Sequence, residues 1–518
     1  MIKILPIGTF AILLIILFVY HGTGVHFLYW SDSTGYLGQG LSIGGPLGYD
    51  RSPGRSIGYP LLLALLSKIP ATALAIVAVQ ALLAVAAYRA LQLHLVAAAD
   101  SIASNRDVIR AKFNNALPMV LALTSSYSAL HIFGLSLLPE ILFAVLGFLA
   151  AAAVARFVHS GEKHDHIVAH GGLVAAVAAL PALVKPHWML AAPALVAIVA
   201  AKLVVMSGAN AQSRTKRLGS WCIAIVVPFA SYAIATWPER YLSANFNRES
   251  ALFGPRSLFC NHLHMIDDAF KKRPALAMHV DPDIDRRVRE AIRDVRATES
   301  RPWKHLGFDG DHCTYNSPFQ NLITELLPTV DAQRQLYMGT YLAAVRAEPL
   351  QFTRKIARQV MLGLERSFDK FDLHISLELP SNLRPGFLAG VAQTGTAGPL
   401  ASKEKMKSTF AGWIVWIALG ALFIPLIIVY LMLFAISLLA APWRWRAWPP
   451  ARRLAFIAYI GVPIAAILAH HLLIAITHTF DIWRYTFGVF FINLGFIAAA
   501  GLFWLDEAIA IRTPGARL

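Results

Sequence analysis

The sequence predicts an all-α polytopic membrane protein: about ten transmembrane helices with one large, mostly helical domain on the outer face. Three observations predict it. Hydrophobic residues make up 57% of the 518 and charged residues only 15%, where an ordinary soluble protein carries about 25% charged. Mean hydropathy is +0.55, so there is too little polar surface to clothe a soluble core. The apolar residues also fall into runs of bilayer length, with the charges gathered between them. The same composition excludes a disordered chain, and three cysteines are too few for a disulfide scaffold.

The runs follow in order. Ile4–Tyr20 is followed by His21-Gly22-Thr23-Gly24 rather than by a small-x-small cleavage site, and it reads as an uncleaved first span. Ala71–Leu95 is the second. Ala116–Leu130 and Leu135–Phe157 are divided across Ser128–Ser136, where His131 and Gly134 interrupt the apolar stretch. Ile167–Val184, Trp188–Met206 and Leu218–Trp237 complete an N-terminal module. Phe410–Ala440, Leu454–Thr477 and Trp483–Leu505 close the chain. Phe410–Ala440 exceeds the bilayer thickness and is expected to tilt or to extend beyond it.

Charge then orients the spans. Lys3, Arg106, Arg110, Lys112, Arg156, Lys163, Lys202, Arg214, Lys216, Arg217, Arg444, Arg446, Arg452, Arg453, Arg512 and Arg517 all fall at one set of ends. The positive-inside rule makes that set cytoplasmic, with both termini inside. The net charge of +16 is therefore chiefly a topology signal, and nucleic acid is not an expected partner. The chain divides into a transmembrane module over 1–238, whose first outer loop is 21–70, an outer domain over 239–409, and a second transmembrane module over 410–518.

Within the outer domain, Asp283–Glu299 is a polar helix laced with opposite charges, and Thr329–Ala347 and Pro349–Phe368 read as two more helices. Phe352, Ile356, Val360, Met361 and Leu364 share one face of the last, which would lie either on the membrane surface or on its own domain. Ser381–Ser408 reads as a linker. Cys260 and Cys313 share this domain, where an oxidising compartment would let them pair; their separation is not legible in sequence, so the pairing is left open.

Ionisable residues at membrane depth tend to mark sites. The outer face carries Asp32 in Trp30-Ser31-Asp32-Ser33-Thr34-Gly35-Tyr36, then Asp50, Arg51 and Arg55 ahead of Gly58-Tyr59-Pro60. It also carries Glu140 in Leu138-Pro139-Glu140, Lys185 and His187 in Val184-Lys185-Pro186-His187-Trp188, and Asp481 and Arg484 in Phe480-Asp481-Ile482-Trp483-Arg484-Tyr485. Asp32 has two readings, the N-cap of a short helix over 31–40 or a catalytic group. A carboxylate among several cations suits deprotonation of an acceptor together with neutralisation of a phosphate leaving group.

These residues resemble membrane glycosyltransferases of the GT-C superfamily. The acid soon after the first span (Asp32), Tyr36 four residues on, Arg51-Ser52-Pro53-Gly54, and Gly58-Tyr59-Pro60 leading into an apolar run look like that family's first periplasmic loop. Leu138-Pro139-Glu140-Ile141-Leu142-Phe143, Lys185-Pro186 and Arg484-Tyr485 are similar to its later elements. The nearest branch is the bacterial one of aminoarabinose transferases and protein O-mannosyltransferases. Short, degenerate motifs carry the resemblance, over about the first 200 residues and the Arg484-Tyr485 ending; it does not extend to Glu239–Thr409.

The resemblance implies an inverting glycosyltransferase of the bacterial inner membrane, with the large loop periplasmic and Asp32 as catalytic base. The donor would be a sugar on a polyprenyl phosphate, and the acceptor a lipid, a glycan or a protein among the membrane lipids. Arg51, Arg55, Lys185 and Arg484 would hold the phosphate, with Tyr36, Tyr59, Glu140 and His187 lining the substrate site. No cofactor is implied, and a divalent metal is left open. Some members place two adjacent acids in the first loop; Asp32-Ser33 here weighs against protein mannosylation.

Two metal-like motifs are discounted. Asp281-Pro-Asp283-Ile-Asp285 and Asp309-Gly-Asp311-His312 look like a D-x-D motif without the α/β domain that uses one, and His262-x-His264 with Asp267 and Asp268 reads as a solvated helix face. The competing readings are an O-antigen ligase or polymerase, which would rely on residues such as His262 and His264, and a lipid-linked-sugar transporter or flippase, which would need a polar route through the spans.

Overall fold

The computed structural model describes residues 31–43, 55–69, 72–103, 107–124, 139–160, 164–209, 214–246, 248–274, 276, 280–298, 310–367, 410–477 and 485–512. Among them there is no strand, and eight helices are long and apolar enough to cross a bilayer. Two expected spans have no counterpart among those eight: Ile4–Tyr20 lies outside the described residues, and Ala116–Leu130 is described only to Thr124.

The first transmembrane module opens with two short helices, α1 (Ser31–Ser42) and α2 (Gly58–Leu66). It continues through α3 (Thr72–Ile102), α4 (Asp107–Thr124), α5 (Glu140–His159), α6 (His164–Ala179), α7 (Ala191–Ala209) and α8 (Arg214–Phe246). Helix α5 is the hub. Its alanines Ala144, Ala150, Ala151 and Ala155 and those of α3, Ala84, Ala87, Ala98 and Ala99, are all buried. Small side chains let helix backbones approach closely, which drives association in lipid where the hydrophobic effect does not. Helix α8 is peripheral, with Ile223, Val226, Phe229 and Ile234 facing outward as a lipid-exposed surface should.

The outer domain comprises α9 (Arg248–Cys260), α10 (Leu263–Lys272), α11 (Pro282–Ala297), α12 (Gly310–Thr314), α13 (Ser317–Leu326), α14 (Val330–Ala347) and α15 (Pro349–Glu365). It has its own core, built on Phe259, Ile266, Val288, Ile292, Phe319, Ile323, Leu336 and Tyr337. The three helices read from sequence are α11, α14 and α15. Asp281 caps α11 by accepting from the Asp283 amide at 2.9 Å, and Thr329 caps α14 by accepting from the Ala332 amide at 3.2 Å. Cys260 and Cys313 are joined by a disulfide between α9 and α12.

The second transmembrane module comprises α16 (Phe410–Arg444), α17 (Pro450–Phe456), a single π turn at Ile457–Gly461, α18 (Val462–Thr477) and α19 (Phe490–Arg512). The end that carries Arg444, Arg452, Asp506 and Glu507 is clamped by ion pairs. Glu507 takes Arg444 at 2.6 Å and Arg452 at 3.0 Å, and Asp506 takes Arg452 at 2.6 Å.

Helix α8 runs on past residue 238 to Phe246, because Trp237-Pro238-Glu239 ends the hydropathy without ending the helix. Helix α15 packs in part on its own domain, where Phe352 stacks on His262 and meets Tyr341. It also packs against α18, so its apolar face seats the outer domain on the end of a spanning helix.

Candidate functional site

The site is built where the first outer segment enters the bundle. A Cβ on Gly58 would stand 2.7 Å from the Leu183 carbonyl oxygen, so glycine alone lets α2 lie against the turn at Leu180–Leu183. Gly40 likewise admits the Pro60 carbonyl, at 3.0 Å from where its Cβ would be, which brings α1 onto α2. Tyr36 and Tyr59 then meet edge to face with ring centres 5.6 Å apart, and the Arg55 guanidinium lies 4.8 Å above the Tyr36 ring. Tyr59 donates to Gln80 Oε1 at 2.9 Å. Burial pushes the Tyr59 hydroxyl well above its ordinary value, and the charges of Glu140 and Tyr36 push it the same way, so it acts as a neutral donor.

Behind the tyrosines sits a buried ion pair. Lys185 Nζ is 2.6 Å from Glu140 Oε1, and both side chains are almost wholly out of solvent. Glu140 opens α5, where a carboxylate meets the positive end of the helix dipole. Lys185 is extended, as the residue before a proline tends to be, and joins the one-turn helices Leu180–Leu183 and Pro186–Trp188. Its ammonium lies 5.3 Å from the centre of the Tyr485 ring, and the His187 ring is 4.5 Å from that same ring. The Tyr485 carbonyl accepts from His470 Nε2 at 2.9 Å.

Tyr36, Arg55, Tyr59, Glu140, Lys185 and His187 are thus brought to one region at the outer end of the bundle. Asp32 lies one helical turn before Tyr36 on α1, in the same i, i+4 row; its side chain lies outside the described residues. Asp50, Arg51, Asp481, Arg484 and Asp309 also lie outside them.

Sequence reasoning missed four contributors. Gln80 is an uncharged amide inside an apolar run, where charge counting passes over it. Glu239 accepts from the Ile57 amide at 3.0 Å and so ties α8 to the start of α2; its signal was an acid at the end of a span. Lys355 donates to the Ala475 carbonyl and to His262 Nε2, both at 2.8 Å, while His262 Nδ1 donates to the Leu258 carbonyl at 2.7 Å. Asn261 adds a 2.6 Å bond to the Thr477 carbonyl. Together Lys355 and Asn261 cap the last carbonyls of α18, immediately before the segment that leads to Tyr485.

The solvated-face reading of His262 and Asp267 is therefore corrected, since both are buried. His262 is packed between Phe352 and Tyr341, and Asp267 holds Arg296 and Lys271, each at 2.7 Å. Burial pushes the His262 imidazole and the Lys355 amine well below their ordinary values. Burial, with the Lys355 and Arg296 charges, lowers His264 to about 3. Among the described residues no three His, Cys, Asp or Glu side chains converge on a metal-sized site. No family model, curated protein or solved structure matches the chain.

The chemistry open to this arrangement is recognition of an anion beside a ring. The Arg55 guanidinium lies over an aromatic face, near the buried Lys185–Glu140 pair and next to the helix that carries Asp32.

Proposed function

We propose that this chain is an integral-membrane inverting glycosyltransferase, taking its sugar from a polyprenyl-phosphate donor and using Asp32 as general base. The observation that carries the reading is the convergence of Tyr36, Arg55, Tyr59, Glu140, Lys185 and His187, drawn from four separate stretches of sequence, beside the helix bearing Asp32. An acceptor hydroxyl oxygen attacks the anomeric carbon as the carbon–oxygen bond to phosphate breaks. The hydroxyl proton passes to the Asp32 carboxylate, and polyprenyl phosphate leaves as a monoester dianion. The transition state is oxocarbenium-like, and the cations stabilise the charge that develops on the phosphate.

The large domain is placed in the periplasm of a bacterial inner membrane, with both termini cytoplasmic. The disulfide within that domain and the arginines at the opposite ends of the spans support this topology. The O-antigen-ligase reading would put His262 and His264 to chemical use, whereas His262 is occupied in seating the domain on α18. The test is transfer from radiolabelled polyprenyl-phosphate sugars into lipid, glycan and protein fractions of membranes. Wild type should incorporate label and Asp32→Asn, expressed to the same level, should lose it; an active Asp32→Asn enzyme would sink the assignment.

A further inference from the structure

Helix α3 carries a charge at a depth where the other spans carry none. Arg89 stands 11 residues after Ala78 and 13 before Ile102, the ends of its span. At the usual rise that is about 16 Å from one end and about 20 Å from the other, too far for its side chain to snorkel to either surface. In the other seven spans every Asp, Glu, Lys and Arg lies within five residues of an end. The spans therefore offer Arg89 no acid at its own depth. The acid of its own helix, Asp100, is 11 residues on, with Arg110 at 3.7 Å, and residues 1–30 and 125–138 contain no Asp or Glu. The Arg89 guanidinium donates instead to Gln92 Oε1 at 2.6 Å.

Arg89 is half-buried, and Leu93 and Asp100, both exposed, continue its face of α3 one and three turns on. The Asp100–Arg110 contact sets α4 along that face near Ile102. Asn114 follows Arg110 by one turn on the same row of α4, and its enclosed Oδ1 has no hydrogen-bond partner among the described residues. The seam between α3 and α4 thus carries Arg110 and the exposed Lys112 near the surface, an unspent amide oxygen part-way down and a guanidinium at mid-bilayer depth. Acyl chains supply no acceptor to the remaining guanidinium N–H groups. Charge at such a depth marks a site, and an unspent buried amide calls for a partner.

We propose that this seam is a hydrated crevice, entered from the end near Ile102, in which Arg89 holds a phosphate group at mid-bilayer depth. A guanidinium fork matches phosphate oxygens, and Arg110 and Lys112 draw anions to the entrance. The phosphate comes from a lipid headgroup drawn between the helices or from the free ion, and the recognition chemistry is the same for both. The crevice is separate from the site around Tyr59. Gln80, which accepts the Tyr59 hydroxyl, precedes Arg89 by nine residues, which puts it on the opposite face of α3. The proposal therefore stands or falls independently of sugar transfer.

The experiment uses the full chain in phosphatidylcholine nanodiscs. Cys222→Ser removes the one free thiol, since Cys260 and Cys313 are paired. Leu93→Cys then places a thiol one turn from Arg89, and Ala86→Cys serves if that variant does not fold. Mass spectrometry follows modification by the anionic ethylsulfonate methanethiosulfonate and by its cationic trimethylammonium counterpart. Both should react, the anionic reagent about tenfold faster after correction for their rates with a simple thiol, and Arg89→Leu should remove that preference. Undecaprenyl phosphate, with undecaprenol as its control, tests the lipid source, and inorganic phosphate tests the free ion; the one that slows modification names the source. A thiol that neither reagent reaches shows the face to be covered by lipid or protein and overturns the proposal. So does an anionic preference that survives Arg89→Leu. If neither phosphate probe slows the reaction, or undecaprenol slows it equally, Arg89 holds no phosphate and the proposal falls.

Discussion

Glu140 and Lys185 hold each other 2.6 Å apart where neither meets water. Removing one partner strands the other charge, which typically destabilises by about 3–5 kcal/mol. Glu140→Gln and Lys185→Met should therefore each lower the melting temperature of the detergent-solubilised protein. The double variant should recover most of the loss, and a double variant as unstable as the two singles summed would show that the pair is not the source. Both residues were legible in the sequence because a charge beside an apolar run is rare. Gln80 was not, because an uncharged amide leaves no mark on hydropathy or charge, yet it accepts the Tyr59 hydroxyl.

At the scale of elements, α15 and α18 form the joint between the outer domain and the bundle. Sequence periodicity showed that α15 has an apolar face; it carries no information on which surface that face meets. The joint is built with groups whose proton affinity burial lowers. His264 is lowered from 6.5 to about 3, and His262 and Lys355 are lowered as well. In the unfolded chain each regains its ordinary proton affinity, so the unfolded state takes up protons that the folded state refuses, at Lys355 as pH falls below about 10.5 and at the two histidines as it falls below about 6.5. Stability should fall from about pH 6.5 towards about pH 3, followed as melting temperature against pH. His264→Gln should flatten that slope, and a slope unchanged by the substitution would assign the acid sensitivity elsewhere. Lys355→Met leaves the Ala475 carbonyl without its side-chain cap and should speed amide exchange in peptides covering the last turn of α18.

At the scale of the molecule, the spans were the most legible feature, because a bilayer imposes one length and one polarity on every crossing. The arrangement of the crossings was not, since Ala-rich faces such as those of α3 and α5 are alike to a hydropathy count. The disulfide needed the fold too: its Cα atoms are 5.3 Å apart although the cysteines are 53 residues apart in sequence. A loop of that length corresponds to about 4 kcal/mol in the chain-entropy account. Cys260→Ser should lower the stability of the outer domain towards that value. In cells the bond should form only when the domain reaches an oxidising compartment, read as a mobility shift on non-reducing gels.

Helix α8 has a mechanical consequence. It is 33 residues long, about 50 Å at the usual rise, whereas the hydrocarbon layer is about 30 Å thick. The stacked Trp237 and Tyr241, both exposed, mark a level suited to the headgroups, and Glu239 between them grips the Ile57 amide. One continuous helix, with Pro228 and Pro238 within it, thus reaches from Arg214 to the residue that holds the start of α2. Because Glu239 holds the Ile57 amide, a change in the tilt of this helix in a thinner or thicker bilayer would be passed to the start of α2, next to Tyr59.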